Sequence, residues 1–252
     1  MRAYILCRLS TSSFRISRST PSMRVSLVVL LLLFASCDST EEPQTPTESS
    51  QFALCNQLLS PCNAGSGAYC LFGFKWGENG MFSPTGFDVP GPRSSANNIT
   101  YSFQNAGSTL NTHRQVNVPT LPFDEHISCA RARIREALNE WSEAAAITFQ
   151  EMPENSTSDI RFYAADIFQS GIGYPKFPSS GRCTSFSGNV IIDPNTRLNT
   201  CDLFYKLMLH EIGHTLGLGH VDSENIMNPN VLETLDGLGP GDIQGLIEIY
   251  GE

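Results

Sequence analysis

Basic residues are few: 16 Lys and Arg stand against 25 Asp and Glu, a formal net charge of −9 at neutral pH. A chain of that sign repels phosphate backbones, which excludes nucleic acid as a partner. No two cysteines are spaced Cys-x-x-Cys, so spacing argues against a thiolate zinc site. No internal repeat is visible. Long apolar runs are missing as well, since Val25 to Phe34 is too short to span a bilayer. Histidine is rare, with five in 252 residues. What is present is the make-up of an ordinary globular protein, 40% hydrophobic and 16% charged, in a length that suits one sizeable domain plus appendages.

Residues 1–36 read as a targeting segment. Arg24 supplies positive charge, Val25 to Phe34 the apolar run, and Phe34-Ala35-Ser36-Cys37 its end. The pattern is similar to a bacterial lipoprotein signal, in which cleavage before Cys37 leaves that thiol to carry lipid, although Phe34 stands where such signals usually have Leu. The alternative is an ordinary signal peptide cut nearby. Both export the chain, to the outer membrane or cell surface in the first case, and leave a lipid anchor as the one expected contact with a membrane. The polar stretch before Met23 lacks signal character, which makes Met23 the expected start. Without residues 1–36 the chain keeps 11 basic against 25 acidic residues, a balance of −14. Export permits disulfides, and six cysteines follow Cys37: Cys55, Cys62, Cys70, Cys129, Cys183 and Cys201. An even count suits three bridges, of which the local one expected is Cys183 with Cys201.

Residues 37–50 are polar, without the apolar side chains that would repay ordering, and read as a tether. Residues 51–91 form a Cys-, Gly- and Pro-rich element of unassigned role, with a boundary expected near residue 92. From there the pattern is ordered. Ile99-Thr100-Tyr101-Ser102-Phe103 alternates as a half-buried strand, and Ile147 to Phe149, Ile160 to Phe162 and Val190 to Ile192 are further strands. A helix is predicted from about Cys129 to Ala146, with Ser128 as N-cap and Ile134, Leu138, Trp141 and Ala145 on its buried stripe. Two more are predicted over Phe204 to Leu216 and Asp242 to Tyr250, the latter introduced by Gly239-Pro240. Gly171 to Gly181 reads as turn-rich.

Three of the five histidines fall within the eleven residues His210-Glu211-Ile212-Gly213-His214-Thr215-Leu216-Gly217-Leu218-Gly219-His220. On a helix His210 and His214 project from one face and can grip one ion at about 2.0 to 2.1 Å. Helical spacing does not bring in His220; the chain must turn back, and Gly217 can adopt the left-handed conformation that ends a helix. Three neutral imidazoles leave a tetrahedral zinc one open position, the mark of a catalytic rather than a structural ion. Glu211 follows the first ligand and is placed to act as general base towards a water there. The extended H-E-x-x-H-x-x-G-x-x-H form is far more specific than its first five residues. His113 and His126, each isolated among polar residues, read as surface histidines.

Around this motif the sequence resembles the metzincin metallopeptidases, and among them the matrixin-like group related to matrix metalloproteinases. The resemblance covers about residues 97–251, through ITYSF at 99–103, ALNEWSEAAAITF at 137–149, SDIRFYAAD at 158–166, HEIGHTLGLGH at 210–220, NIMNP at 225–229 and GPGDIQGLIEIYG at 239–251. It implies an α+β catalytic domain over 92–252, a twisted mixed sheet with three helices, the active-site helix followed by a Gly turn and a Met-turn. It also implies a monomeric, zinc-dependent endopeptidase acting on proteins or peptides, with Met227 as the Met-turn residue beneath the zinc ligands. The residues after Pro229 would wall the pocket for the side chain just beyond the scissile bond.

Several features depart from that family. The stretch from Asp159 to Met208 contains no histidine, so the second, structural zinc of matrix metalloproteinases is not expected, and a Cys183–Cys201 bridge would stiffen the region instead, contributing about 3 kcal/mol. Calcium is left open. The inhibitory Cys-containing propeptide motif is absent, the nearest text being Gly91-Pro92-Arg93-Ser94. Val221 follows the third histidine where matrixins usually carry a small polar residue. Two rival readings exist. In thermolysin-like peptidases the third ligand is a downstream glutamate, here Glu224 or Glu233, against which Gly217, His220 and Met227 argue. The other rival is a lipid-anchored zinc-containing binding or adhesion protein without turnover, against which the intact Glu211 argues.

Overall fold

The computed structural model describes Cys55, Cys62 and residues 67–76, 98–123, 127–177, 183–196, 200–230 and 232–252. The signal segment, Cys37, the tether, His126 and most of the Cys-rich element lie outside the described residues. Among the described residues no helix is long and apolar enough to cross a membrane.

The strands are β1 (Cys70–Leu71), β2 (Asn98–Phe103), β3 (Thr109–Leu110), β4 (Val118–Leu121), β5 (Thr148–Glu151), β6 (Ile160–Ala165), β7 (Gly171–Gly173), β8 (Asn189–Ile192) and β9 (Leu218–Gly219). The helices are α1 (Ala130–Ala144), α2 (Cys201–Leu216) and α3 (Pro240–Tyr250). In β2 the alternating Ile99, Tyr101 and Phe103 are buried, as a strand with one face on a core requires. It runs parallel to β5 and β6; β6 runs parallel to β8, and β7 pairs antiparallel with β8. The β3–β4 hairpin joins through β4, antiparallel to the end of β6. Among the described residues of 92–252 the expected mixed sheet with three helices is therefore what forms.

The helices cover one face of this sheet. Ile134, Ala137, Leu138 and Trp141 make the buried stripe of α1, and the Trp141 indole N–H donates to the carbonyl of Leu209 on α2 at 3.0 Å. Each large apolar side chain buried there contributes about 1.5–3 kcal/mol. Helix α2 starts three residues earlier than the apolar period indicated, because the Thr200 hydroxyl caps it by accepting the N–H of Leu203 and Asp202 complements its first turn. Helix α1 is flanked by Cys129 rather than Ser128.

The opposite face of the sheet carries a second apolar cluster that includes Phe72, Phe74, Ile172, Tyr174, Phe177, Phe186 and Ile191. Residues 67–76, from the Cys-rich element, run alongside the end of α2. Strand β1 pairs antiparallel with β9, Phe72 N–H donates to the Gly217 carbonyl at 2.8 Å, and the Trp76 indole donates to the Thr215 carbonyl at 2.8 Å. The Tyr250 hydroxyl donates to the Leu216 carbonyl at 3.1 Å. Carbonyls that a helix C-terminus leaves without intrahelical partners are thereby satisfied from two remote parts of the chain.

The expected Cys183–Cys201 bridge is not formed. The pairs are Cys129–Cys201, Cys55–Cys183 and Cys62–Cys70. Cys129 and Cys201 sit at the starts of α1 and α2, which the Arg133–Asp202 ion pair also holds together at 2.8 Å, whereas Cys183 belongs to the cluster on the other face of the sheet. Proximity in sequence misled because the sheet separates the two residues. The region from Gly171 also differs from its turn-rich reading, since Gly171–Gly173 is an edge strand.

Peptide mapping of the unreduced protein is expected to recover Cys129 joined to Cys201 and Cys55 joined to Cys183. A Cys183–Cys201 fragment would overturn the arrangement. Replacing Cys129 and Cys201 together by Ala is expected to lower unfolding free energy by about 4 kcal/mol, the loop-closure value for a crosslink of this span, read as a lower denaturant midpoint.

Candidate active site

Helix α2 is amphipathic at its start and buried on all sides over its second half, where His210, Glu211, Gly213 and His214 lie. Gly217 ends it at φ 109°, in the left-handed region, and its N–H returns to the carbonyls of Gly213 and His214. The chain then reverses through β9, which brings His220 back to the helix face. The Nε2 atoms of His210, His214 and His220 come to lie 3.1 Å from one another.

The protonation of these rings follows from their other nitrogens. His210 Nδ1 lies 2.7 Å from the Ile226 carbonyl and His214 Nδ1 2.8 Å from the Leu218 carbonyl. A carbonyl only accepts, so in both rings Nδ1 carries the hydrogen and Nε2 presents a bare lone pair. Two lone pairs at 3.1 Å repel each other, and His220 has one hydrogen at most to offer them. A cation at the centre converts this repulsion into coordination, and carbonyl-anchored imidazoles are the usual second-shell arrangement of metal ligands. Burial keeps the rings neutral: it pushes His210 down to about 4, His214 well below its ordinary value, and His220 downward. The residues present therefore fit a metal of the zinc type.

Glu211 lies against strand β7. A Cβ at Gly173 would stand 2.1 Å from the Glu211 carbonyl oxygen, and one at Gly171 2.9 Å from its Oε1. The glycines that made this stretch look like a turn instead let helix and edge strand approach. Burial raises the Glu211 carboxyl to about 8, with the Gly173 N–H working in the opposite direction.

Met227 lies beneath the helix, its Sδ 2.4 Å from where a Cβ at Gly213 would be. Its loop is fixed by the buried Asp242, whose carboxylate accepts the N–H groups of Ile226 at 2.6 Å, Met227 at 3.2 Å and Gly239 at 2.8 Å. In the sequence Asp242 is visible only as a helix start. The spacing Gly239-x-x-Asp242, which lets a carboxylate in the first turn accept the N-cap N–H, signals the contact with Gly239, and nothing local signals the other two.

A cleft of about 610 Å³ opens over the three histidines and Glu211, lined also by Cys62, Phe72, His113, Arg114, Tyr174 and Pro229. Phe72 stands 5.8 Å from the His214 ring, and Cys62 packs where a Gly219 side chain would go. No local pattern points to this wall. His113 is corrected from a surface histidine to a half-buried one: its backbone N–H and its Nδ1 both lie 2.9 Å from the buried Tyr174 hydroxyl. Cys183 and Cys201, in separate bridges, are not brought to the cleft.

Residues 93–251 match the profile of the Matrixin family. Among curated proteins the chain is similar to "Metalloendoproteinase 1" of Glycine max, at 29% identity over 194 residues, covering 68% of this chain and 57% of the relative. It is similar to "Matrix metalloproteinase-26" of Homo sapiens at 30% identity, covering 56% of this chain and 58% of the relative. It is similar to "Matrix metalloproteinase-19" of Homo sapiens at 29% identity, covering 56% of this chain and 29% of the relative. The chain thus spans from under a third to just over half the length of these relatives.

Gly173→Ala is expected to push β7 from α2 and cost about 1–3 kcal/mol, seen as a lower denaturation midpoint together with a distorted cleft. Met227→Leu, which conserves volume, is expected to cost under about 1.5 kcal/mol, whereas Met227→Ala costs about 2–5 kcal/mol. Equal midpoints for all three variants would contradict the packing described.

Proposed function

The chain belongs to the Matrixin family, and from that premise we propose that it is a zinc-dependent endopeptidase that hydrolyses peptide bonds of protein or peptide substrates. His210, His214 and His220 hold the metal. The observation that carries this reading is the meeting of three Nε2 atoms at 3.1 Å, two of them stripped of hydrogen by their neighbouring carbonyls. Zinc, when bound there, polarises the substrate carbonyl as a Lewis acid and lowers the pKa of water towards about 7.

Glu211 is the general base. Its carboxyl, raised by burial, would ionise beside a bound divalent cation and in that form accepts a proton. That proton comes from the attacking water as the water oxygen bonds to the carbonyl carbon. The Glu211 carboxyl then delivers it to the amide nitrogen as the C–N bond breaks, leaving a free acid and a free amine. The Ile226 and Leu218 carbonyls hold two imidazoles in orientation, and Asp242 holds the loop that supplies Ile226 and Met227. Cys62 and Phe72 exclude water from one side of the cleft. The chain is exported, with Cys37 carrying lipid, and acts as a monomer on substrates outside the cytoplasm.

Purified protein is expected to contain one zinc per chain and to cleave a mixed peptide library, with cleavage stopped by a chelator and restored by zinc. Glu211→Ala is expected to keep the metal and to lose activity by at least about 10²–10⁴-fold. Zinc without chelator-sensitive cleavage in the wild type would identify a binding protein instead.

A further inference from the structure

Among the described residues three large hydrophobic side chains stand exposed, and two of them, Phe168 at 83% and Val116 at 42%, line one groove. The groove, about 600 Å³, lies between the β3–β4 turn and the start of β4, through Val116, Val118 and Pro119, and the β6–β7 turn, through Asp166 and Phe168. His113 and Arg114 line both this groove and the catalytic cleft, so the two adjoin at these residues.

Both sides of the groove are built rather than loose. The Thr112 hydroxyl accepts the N–H groups of Arg114 at 3.2 Å and Gln115 at 2.9 Å, and the Asn111 side chain accepts that of Asn117 at 2.8 Å. On the other side the Asp193 carboxylate accepts the N–H groups of Ile167 at 3.2 Å and Phe168 at 3.1 Å, holding Phe168 at φ 56°. That left-handed conformation is unfavourable for a bulky aromatic residue, and here it presents the ring to water, where it adds nothing to the core. Apolar side chains held outward in this way mark a contact surface.

We propose that the catalytic cleft continues past His113 and Arg114 into this groove, where Phe168 and Val116 receive an apolar side chain of the polypeptide substrate several residues from the scissile bond. The inference rests on the peptidase reading and names the class of substrate: long, unfolded segments bearing an apolar anchor outside the cleft. The adjoining cleft selects this occupant. A chain already held extended in the cleft reaches the groove with little further loss of freedom, advancing about 3.3 Å per residue.

The test uses a short peptide, taken from a casein site the protein cleaves, that fills only the cleft. It is compared with the same peptide lengthened by about four residues at one end or the other, carrying Phe or Ser in the added part. Wild type is expected to cleave one of the Phe-bearing long peptides with kcat/KM about tenfold or more above the short one, mainly through KM. Phe168→Ser and Val116→Ser are expected to erase that gain and leave turnover of the short peptide unchanged. Equal efficiency on long and short peptides, or equal loss on both in the variants, overturns the inference and leaves the peptidase reading standing. Variants whose only change is in self-association by sedimentation, or in binding to phosphatidylglycerol vesicles, would assign the groove to a second copy or a lipid surface and overturn it as well. Failure of wild type to cleave casein or any of the peptides sinks the peptidase reading and this inference together.

Discussion

Two imidazole lone pairs forced to face each other at 3.1 Å, with a third ring closing on both, are the constraint around which α2 and the segments after it are arranged. Left alone, such a cluster is repulsive and buried, and it persists because surrounding backbone holds each part. The Ile226 carbonyl fixes one ring and the Leu218 carbonyl another. These carbonyls come from the two segments that follow α2, so the loop path and the ring orientations are set by the same contacts.

Those segments are in turn tied to distant parts of the chain. The end of α2 would expose unsatisfied carbonyls beside the site. Phe72, Trp76 and Tyr250 satisfy the ones at Gly217, Thr215 and Leu216, the first two from residues that precede the sheet and the third from the last helix. Asp242 gathers three backbone N–H groups at the start of that helix and so locks the loop of Met227 under the site. A buried carboxylate used this way gains charge-assisted hydrogen bonds that offset the cost of its burial. The rigidity of the cluster is therefore assembled from both ends of the domain.

The parts of the fold legible in the sequence were those governed by local period. Alternation in 99–103 and a helical stripe through Ile134, Leu138 and Trp141 report one-sided burial, which leaves its trace residue by residue. The eleven residues from His210 to His220 were legible for the same reason, since one helix turn and one glycine suffice to bring their ring nitrogens together. Strand β7 was not legible. Its glycines look like turn residues, and only the nearness of Glu211 explains them. The position of His113 beside Tyr174 and the cleft wall made by Cys62 and Phe72 left no local signal, because each depends on contacts between residues far apart in the chain.

Fold class and the choice of candidate ligands could be read without the structure, because hydrophobic period and motif spacing are properties of neighbours. Tertiary structure decided which cysteines pair, since the sheet stands between Cys183 and Cys201 and the adjacent starts of α1 and α2 join Cys129 to Cys201. It likewise decided what walls the cleft and where the cleft leads, since the β3–β4 and β6–β7 turns meet only after the sheet has formed. Burial, which sets both the neutrality of the imidazoles and the raised Glu211 carboxyl, depends on every element packed around α2, and no stretch of sequence encodes it alone.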